Sequence, residues 1–382
     1  MDLFCTKHHE LIRATVRDFA ENVIKPQARE LDDKEQFSVE LTRKMGEIGL
    51  FGMVVPEKFG GQGMDTLSYI IAVEELARVD GSHAATIAAH NSLGIGPILK
   101  FGTKEQKEKY LPQLCTGNAL WGFGLTEPNA GSDSRASNTK AELINGNWVI
   151  NGSKIFITNA NTEITAGVTV QAITNSKDGR KEISTILVER NTPGFTATDM
   201  KGKLMWRASN TSALYFDNVK VPAKNLLSKK GGGSKVMLST LDSGRLSIAA
   251  MGLGCAQGAY ELSLKYSKER VQFGKAIHNY QAISFKLADM ALKIELARNL
   301  LYKACKLKDA HKPYGMEAAM AKLYCSEIAK EVADDAVQIH GGYGLMKEYD
   351  VERFYRDQRL LQIGEGTSEI QRLVISRYIL KD

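Results

Sequence analysis

Cysteine is scarce in this chain, and its spacing excludes several kinds of site. The 382 residues contain 5 cysteines, Cys5, Cys115, Cys255, Cys305 and Cys325, and none of them forms a Cys-x-x-Cys pair. An odd number of widely separated cysteines argues against a disulfide framework and against a zinc site. The 7 histidines show no ligand spacing either. We therefore expect no metal, and a reducing compartment fits the composition.

Blocks of like charge and long apolar runs are also missing. The 50 basic and 44 acidic residues give a net charge of +6, and the pair at 229–230 is the nearest approach to a basic block. This pattern does not indicate a nucleic-acid-binding surface. No apolar run reaches bilayer length, and the N-terminal segment resembles neither a signal nor a transit peptide. We expect a cytoplasmic protein without nucleic-acid or membrane partners, although a processed matrix protein would look similar.

Three segments differ in their periodicity, which predicts an α+β protein. Residues 1–118 show helical spacing, residues 119–227 are rich in β-branched and aromatic runs, and residues 228–382 are again helical. Two Asn-Gly pairs, at 145–146 and 151–152, predict tight turns between strands. The first helix is predicted to bury one face made of Leu11, Ile12, Val16, Phe19 and Val23.

The C-terminal segment contains a heptad-like apolar stripe and one misleading glycine pattern. The stripe predicts long antiparallel helices. The stretch "GLGCAQG" at 252–258 fits a dinucleotide fingerprint, but helices rather than strands follow it, so close helix packing explains the glycines better. The residues of the stripe alternate steps of four and three: Ile283, Leu287, Met290, Ile294, Ala297, Leu301 and Ala304.

A single carboxylate, Glu365, lies between Gly364 and Gly366 in "QIGEGTSEIQR". Such a Gly-x-Gly is commonly a solvent-exposed turn, since glycine reaches positive φ at no steric cost. The alternative is that the glycines allow close approach to a ligand toward which Glu365 points. The local sequence leaves both interpretations open.

Motifs spread over the whole chain favour the second interpretation. The stretches "FGLTEPNAGSD" (123–133), "RVQFGKAI", "YQAISFKLADMA", "QIHGGYG" and "IGEGTSEIQR" occur in the order typical of one family. The chain resembles the acyl-CoA dehydrogenase family, most closely its short-chain, butyryl-CoA dehydrogenase-like branch. The resemblance implies an N-terminal helical domain, a small central β-barrel or sandwich domain and a C-terminal four-helix bundle.

The resemblance implies FAD as cofactor. Phe156 stands where many relatives have tryptophan, and Arg270 corresponds to an arginine that reaches the FAD of a neighbouring subunit. We therefore expect a homo-oligomer, with a tetramer as the predicted state. The implied FAD-binding residues are Phe123, Leu125, Thr126, Gly131, Ser132, Phe156, Ile157, Thr158, Arg270, Gln272, Phe273, Gln281, Gln338, Ile339, Gly341, Gly342, Thr367 and Glu369.

The resemblance also implies a reaction. Glu365 would remove the α-proton of an acyl-CoA thioester while a β-hydride passes to flavin N5, and an electron-transferring flavoprotein would accept the electrons. Ser132, Asp242, Arg245 and Gly366 would bind the substrate. Some branches carry the base at the position of Gly244, which has no side chain that could act as one.

The identity of the acyl group and the direction of the reaction stay open at this stage. A short acyl-CoA near butyryl is expected, with branched or alicyclic groups as the alternative. Asn91, Leu93 and Ile95 would make the pocket shallow if they point inward. An enoyl-CoA reductase, an oxygen-using oxidase and a catalytically inactive nucleic-acid-associated family member are the competing functions.

Overall fold

A computed structural model describes residues 4–177 and 180–381, and its first part is helical. Side-chain caps begin several of these helices: Asp65 accepts a hydrogen bond from the Ser68 N–H, and Thr103 accepts one from the Gln106 N–H. The helices are α1 (Lys7–Phe19), α2 (Lys25–Lys34), α3 (Val39–Glu47), α4 (Thr66–Ala77), α5 (Gly81–Ala89), α6 (Gly96–Phe101) and α7 (Lys104–Leu114), with π-helical turns at Ala20–Ile24 and His90–Ile95.

The predicted buried face of α1 is wrong at one position. Ile12, Val16 and Phe19 are buried in the helical core, whereas the Leu11 side chain is 65% exposed. Consecutive helical residues point about 100° apart, so Leu11 and Ile12 do not share a narrow buried stripe.

The central segment forms an eight-stranded sheet in the order β6-β7-β3-β2-β4-β5-β8, and β1 pairs in parallel with β4. Its inner face is a core that includes Trp148, Ile150, Val170 and Phe216. The strands are β1 (Leu120–Gly124), β2 (Lys140–Ile144), β3 (Asn147–Thr158), β4 (Thr165–Lys177), β5 (Arg180–Glu189), β6 (Phe195–Asp199), β7 (Thr211–Pro222) and β8 (Leu226–Leu227).

Only one of the two Asn-Gly pairs is a hairpin turn. Asn145 and Gly146 have φ values of 48° and 78°, which suit the tight turn between β2 and β3. Gly152 instead lies inside β3, where the pairing register with β7 shifts. A Cβ at Gly152 would lie 2.7 Å from the Thr139 Cα. The second pair is therefore a bulge with a close backbone contact, not the predicted turn.

Long helices form the last segment, joined by one small hairpin. The buried residues of α9 include Leu287, Met290 and Ile294 of the predicted stripe. A Cβ at Gly254 would lie 2.3 Å from the Glu74 carbonyl oxygen, which supports close helix packing as the reason for the "GLGCAQG" glycines. The elements are α8 (Gly233–Glu269), β9 (Val271–Gln272), β10 (Lys275–Ala276), α9 (Gln281–Asp309), α10 (Gly315–His340), α11 (Val351–Asp357) and α12 (Ser368–Ile379).

The predicted α+β architecture is confirmed, with helical segments on either side of a strand-rich segment in sequence. One apolar core runs through both helical segments, and a smaller cluster containing Trp121, Leu187 and Val236 joins helices to the sheet. Within residues 4–177 and 180–381, no helix has the length and apolarity needed to cross a bilayer. Over the same ranges, no group of three or more histidine, cysteine, aspartate or glutamate side chains could hold a metal ion.

Candidate active site

Glu365 lies in a tight turn just before α12. Glu365 and Gly366 have φ values of 53° and 95°, and Thr367 caps α12 by accepting a hydrogen bond from the Ile370 N–H at 3.3 Å. Positive φ is uncommon for a residue with a side chain, and it persists only where the surrounding structure enforces it. The turn must therefore be held by neighbouring groups.

Two side chains hold this turn through its backbone. The Lys322 Nζ donates a hydrogen bond to the Gly366 carbonyl oxygen at 2.7 Å. The Gln371 Nε2 donates to the same oxygen at 2.9 Å and to the Glu365 carbonyl oxygen at 3.2 Å. A Cβ at Gly366 would lie 2.7 Å from this Nε2, whereas one at Gly364 would make only ordinary contact with Leu360. Contacts within the chain therefore require glycine at 366 but not at 364.

The Glu365 carboxylate is directed inward, against α8. Its Oε2 atom is buried and has no hydrogen-bond partner among residues 4–177 and 180–381, although Glu365 as a whole is partly exposed. A Cβ at Gly244 would lie 1.6 Å from that oxygen, so the carboxylate occupies the space that a side chain at 244 would need. Burial raises the pKa of Glu365 to about 7, with Lys322 and Arg245 acting in the opposite direction.

Asp242 and Arg245 form an ion pair next to this carboxylate. The Arg245 Nη1 donates to the Asp242 Oδ1 at 2.6 Å, and Arg245 is buried. Burial raises the pKa of Asp242 against the opposing charge of Arg245. The Arg245 Nε, like the Glu365 Oε2, is buried without a hydrogen-bond partner in the part of the chain that the structure describes. Buried polar atoms are normally paired, so two such atoms in one cluster suggest a ligand-facing site.

The residues expected to floor an acyl pocket differ in their roles. Asn91 holds the backbone near residue 51, because its Oδ1 accepts from the Gly52 N–H and its Nδ2 donates to the Leu50 carbonyl. Ile95 is buried in the cluster that contains Trp121. Leu93 alone of the three predicted residues is partly exposed. A shallow pocket floored by these side chains stays a prediction.

The loop after β1 carries the predicted residues of the first motif. Phe123 is buried, Leu125 and Thr126 are half-buried, and Gly131 and Ser132 are exposed. Below the loop, the Glu127 carboxylate accepts hydrogen bonds from the Asn138 and Thr139 N–H groups. The loop thus presents its tip to solvent while its base is fixed.

A bulge in β3 separates the next three predicted residues. The register with β7 shifts between Lys154 and Ile157, and Phe156 has a φ of 61°. As a result the Phe156 side chain is 63% exposed, whereas the Ile157 side chain lies in the sheet core. Thr158 is half-buried. Phe156 and Thr158 can offer side chains to a ligand here, and Ile157 can offer its backbone.

A cavity of about 830 Å³ lies beside the small hairpin. Arg270 precedes the hairpin, and its guanidinium lies 5.5 Å from the centre of the Tyr343 ring. Phe273 at the hairpin tip is 95% exposed. Gln281 and Gln338 are exposed and lie outside the lining of this cavity. The predicted residues that do line it are Arg270, Gln272, Phe273, Ile339, Gly341 and Gly342.

Family models match almost the whole chain. The N-terminal, middle and C-terminal domains of acyl-CoA dehydrogenase match residues 6–118, 122–219 and 231–380. The chain belongs to the acyl-CoA dehydrogenase family. The predicted resemblance is thereby confirmed.

Relatives of this acyl-CoA dehydrogenase family member match it end to end. A probable acyl-CoA dehydrogenase, YngJ, of Bacillus subtilis is 50% identical over 100% of both chains. The structure of butyryl-CoA dehydrogenase from Megasphaera elsdenii has a TM-score of 0.96 and 43% identity, again over 100% of both chains. A chain from structural work on the electron transferring flavoprotein of Acidaminococcus fermentans has a TM-score of 0.97 and 45% identity, also over 100% of both.

The residues that support the site lie outside the motifs recognised in the sequence. Lys322 and Gln371 hold the Glu365 turn, and the buried Lys154 Nζ donates to the Glu127 carboxylate at 2.8 Å and to the Leu125 carbonyl at 3.1 Å. A detectable signal existed for Lys322. It follows Ala318 and Ala319 by four and three residues and precedes Cys325 by three, which places a lysine on the buried face of α10.

Proposed function

We propose that this family member catalyses FAD-dependent α,β-dehydrogenation of an acyl-CoA thioester to the trans-2-enoyl-CoA, with Glu365 removing the α-proton. The supporting observation is the Glu365 carboxylate: Oε2 is buried, unpaired and packed over Gly244, and burial raises its pKa to about 7. A carboxylate with a pKa near neutrality is a stronger base than an ordinary one and is still ionised at working pH.

The residues beside the hairpin fit FAD. A pyrophosphate needs a cationic fork and backbone groups that are open to approach. Arg270 supplies the guanidinium, and a Cβ at Gly341 or Gly342 would meet nothing within 4 Å. We assign Gln272, Phe273, Gln281, Gln338 and Ile339 to the same part of the cofactor site. FAD bound here supplies the acceptor for the hydride that leaves the β carbon.

The remaining predicted cofactor residues form the flavin end of the proposed site. The loop at 123–132 and the exposed Phe156 offer hydroxyl, backbone and aromatic groups to a ring system. We assign Thr367 and Glu369, in the first turn of α12, to this part as well. The full set for the flavin end is Phe123, Leu125, Thr126, Gly131, Ser132, Phe156, Ile157, Thr158, Thr367 and Glu369.

The substrate thioester is proposed to lie against Glu365. Asp242 and Arg245 bind and orient the CoA and acyl portion, and the unpaired Arg245 Nε supports this role. Ser132 and Gly366 complete the contacts. The Glu365 N–H polarises the thioester carbonyl, which acidifies the α-carbon and lowers the barrier to proton removal.

We infer that the electron acceptor is an electron-transferring flavoprotein and that the chain forms a homotetramer. The similarity to a chain studied with the Acidaminococcus fermentans flavoprotein supports the acceptor.

The exposed Phe273 next to Arg270 supports assembly, because a second copy would cover it. Cys115, Cys255, Cys305 and Cys325 are buried free thiols, which supports a reducing, cytoplasmic location.

A short acyl group is the proposed substrate. The 43% identity to a butyryl-CoA dehydrogenase and the half-buried Leu93 on the π-helical turn support it. Each methylene that fits adds about 0.8 kcal/mol of burial, whereas one that does not fit introduces strain. We expect kcat/KM to peak near butyryl-CoA in a panel that includes isobutyryl, alicyclic and octanoyl thioesters. A maximum at octanoyl-CoA or longer would contradict this.

Anaerobic titration tests the reaction. The purified yellow protein is expected to lose its flavin absorbance on addition of butyryl-CoA, and Glu365→Gln is expected to slow this bleaching by about 10³-fold while FAD stays bound. Bleaching of the Gln variant at the wild-type rate would refute the role of Glu365. Peroxide formation that matches turnover would indicate an oxidase, and turnover only in the enoyl-CoA direction would indicate a reductase.

A further inference from the structure

Lys322 is a fully buried lysine on α10, and its ammonium group is directed at the Glu365 turn. Buried lysines are rare because removing an ammonium ion from water is costly unless polar groups compensate. Here the Lys322 Nζ donates to the Gly366 carbonyl oxygen, 2.7 Å away, rather than to the neighbouring Glu365 carboxylate. A bond to the backbone fixes the turn without occupying the oxygens of Glu365.

The choice of partner matters for a base. A direct ion pair would hold the carboxylate ionised but would also lower its pKa and make it a weaker proton acceptor. In this arrangement the Glu365 Oε2 keeps no hydrogen-bond partner. The Lys322 charge nevertheless acts on the carboxyl group through space and opposes the rise in pKa that burial causes. The carboxyl thus stays ionisable near neutral pH while its Oε2 remains available for proton transfer.

Several other charged or titratable groups lie around Glu365. Arg245 on α8 acts in the same direction as Lys322 and lowers the pKa of Glu365, but it is paired with Asp242 at 2.6 Å and does not bond to the Glu365 turn in the described residues. Tyr69 on α4 is buried and donates its hydroxyl to the Ala88 carbonyl, so it brings no charge at neutral pH. Glu327 and Glu369 act on Lys322 and favour its charged form, against the desolvation that lowers its pKa to about 8.

We propose that Lys322 is a positioning residue for the base: its bond to the Gly366 carbonyl fixes the turn, and its charge keeps the unpaired Glu365 carboxyl ionisable. The inference rests on the proposed role of Glu365. One arrangement then accounts for the positive φ of Glu365, the buried Lys322 ammonium and the unpaired Glu365 Oε2. In it, a lysine on α10 sets the geometry and the acidity of Glu365, 43 positions further along the chain.

Two variants of Lys322 separate the effect of its hydrogen bond from the effect of its charge. Lys322→Met removes both the donor and the charge, while Lys322→Gln removes the charge and retains an amide donor. Lys203→Met is the matched control. Lys203 also has a pKa lowered to about 8 by burial and donates to two backbone carbonyls, those of Trp206 and Ser209, but the charges around it are those of Lys201, Asp357, Glu35 and Asp199.

The first measurement is the pKa of the Glu365 carboxyl, obtained by infrared difference titration of the purified protein. The carboxyl band of Glu365 is assigned as the band that is missing in Glu365→Gln. We expect this pKa to rise by about one pH unit in both Lys322 variants, since each loses the same nearby charge, and to stay unchanged in Lys203→Met. The second measurement is the pH dependence of flavin bleaching by butyryl-CoA. Its acidic limb should move to higher pH by the same amount.

The limiting bleaching rate at high pH reports the geometry. We expect a fall of about tenfold or more in Lys322→Met and a smaller fall in Lys322→Gln, because the amide still holds the carbonyl. Lower melting temperatures with an unchanged carboxyl pKa and an unchanged pH profile would overturn the proposal, and so would an equal shift in Lys203→Met. If Glu365→Gln bleaches normally, the proposed function fails, while the infrared titration still decides whether Lys322 controls the carboxyl.

Discussion

The Glu365 turn and the hairpin between β9 and β10 share a backbone conformation but differ in their surroundings. Glu365 and Gly366 have φ values of 53° and 95°, and Phe273 and Gly274 have values of 51° and 81°. Lys322 and Gln371 hold the first turn through hydrogen bonds, and the Tyr280 hydroxyl donates to the Gln272 carbonyl oxygen in the second. Both segments are therefore fixed by their own chain, but the first encloses its carboxylate against α8, while the second leaves the Phe273 side chain in solvent.

Gly244→Ala tests whether the Glu365 turn is as tightly enclosed as this comparison implies. The added Cβ would lie 1.6 Å from the Glu365 Oε2, so the carboxylate must move. We expect the rate of flavin bleaching to fall by about 10²-fold with normal FAD content, because small displacements of a catalytic group are costly. Gly96→Ala, where the nearest atom would lie at an ordinary 3.5 Å, is the control. A wild-type rate in Gly244→Ala would show that the turn is loose.

Arg270→Ala tests the other side of the comparison. We expect a loss of about tenfold in FAD affinity, since a charge-assisted contact to a pyrophosphate is removed, while the pH dependence of the remaining activity is unchanged. Flavin absorbance after dialysis measures retention. Lys268→Ala removes an exposed cation from the last turn of α8 and should retain FAD. Equal retention in both variants would make Arg270 an ordinary surface charge.

Phe273→Ser tests whether the exposed hairpin tip is an assembly contact. We expect a shift toward smaller species in analytical ultracentrifugation with an unchanged far-UV circular dichroism spectrum, because Phe273 is 95% exposed and its edge-to-face contact with Tyr280, 6.4 Å between ring centres, contributes little to the fold. Leu143→Ser, an exposed leucine on β2, is the control. An unchanged sedimentation profile in Phe273→Ser would remove the tip from the interface.

The smallest expected effect concerns stability. Glu365 has a pKa raised from 4.5 to about 7, so the folded state binds more protons than the unfolded state between these values, and stability falls as pH rises through that window. Glu365→Gln should remove this loss and be more stable at pH 8 than wild type by about 1–2 kcal/mol, after allowance for partial exposure. Urea unfolding at pH 5 and pH 8 measures the difference, which should be largest at pH 8.

Sequence patterns predicted those features that depend on residues close together in the chain. The alternation of helical and strand-rich segments and the family motifs could be recognised in this way, and the glycines on either side of Glu365 indicated an unusual backbone at that residue. The division at residues 118 and 227 and the individual cofactor contacts stay predictions. The errors occurred where tertiary contacts decide: Gly152 lies in a bulge, where a Cβ would lie 2.7 Å from the Thr139 Cα, and Leu11 is 65% exposed although it was expected on the buried face of α1.

The support of Glu365 could not be predicted in the same way. Lys322 and Gln371 act on the turn from different helices, and local sequence does not show which buried lysine meets which carbonyl. The unpaired oxygen of Glu365 is likewise a property of three-dimensional packing, since it depends on where Gly244 lies.

The overlap between Gly244 and Glu365 limits which pairs of side chains these two positions can carry. Because the carboxylate already fills the volume beside Gly244, a chain with acidic side chains at both positions is sterically blocked. Loss of the side chain at 365 would relieve the backbone strain there, since glycine tolerates a φ of 53°. Transfer of an acidic side chain from one of these positions to the other therefore requires paired substitutions, and the two positions are epistatic rather than independently variable.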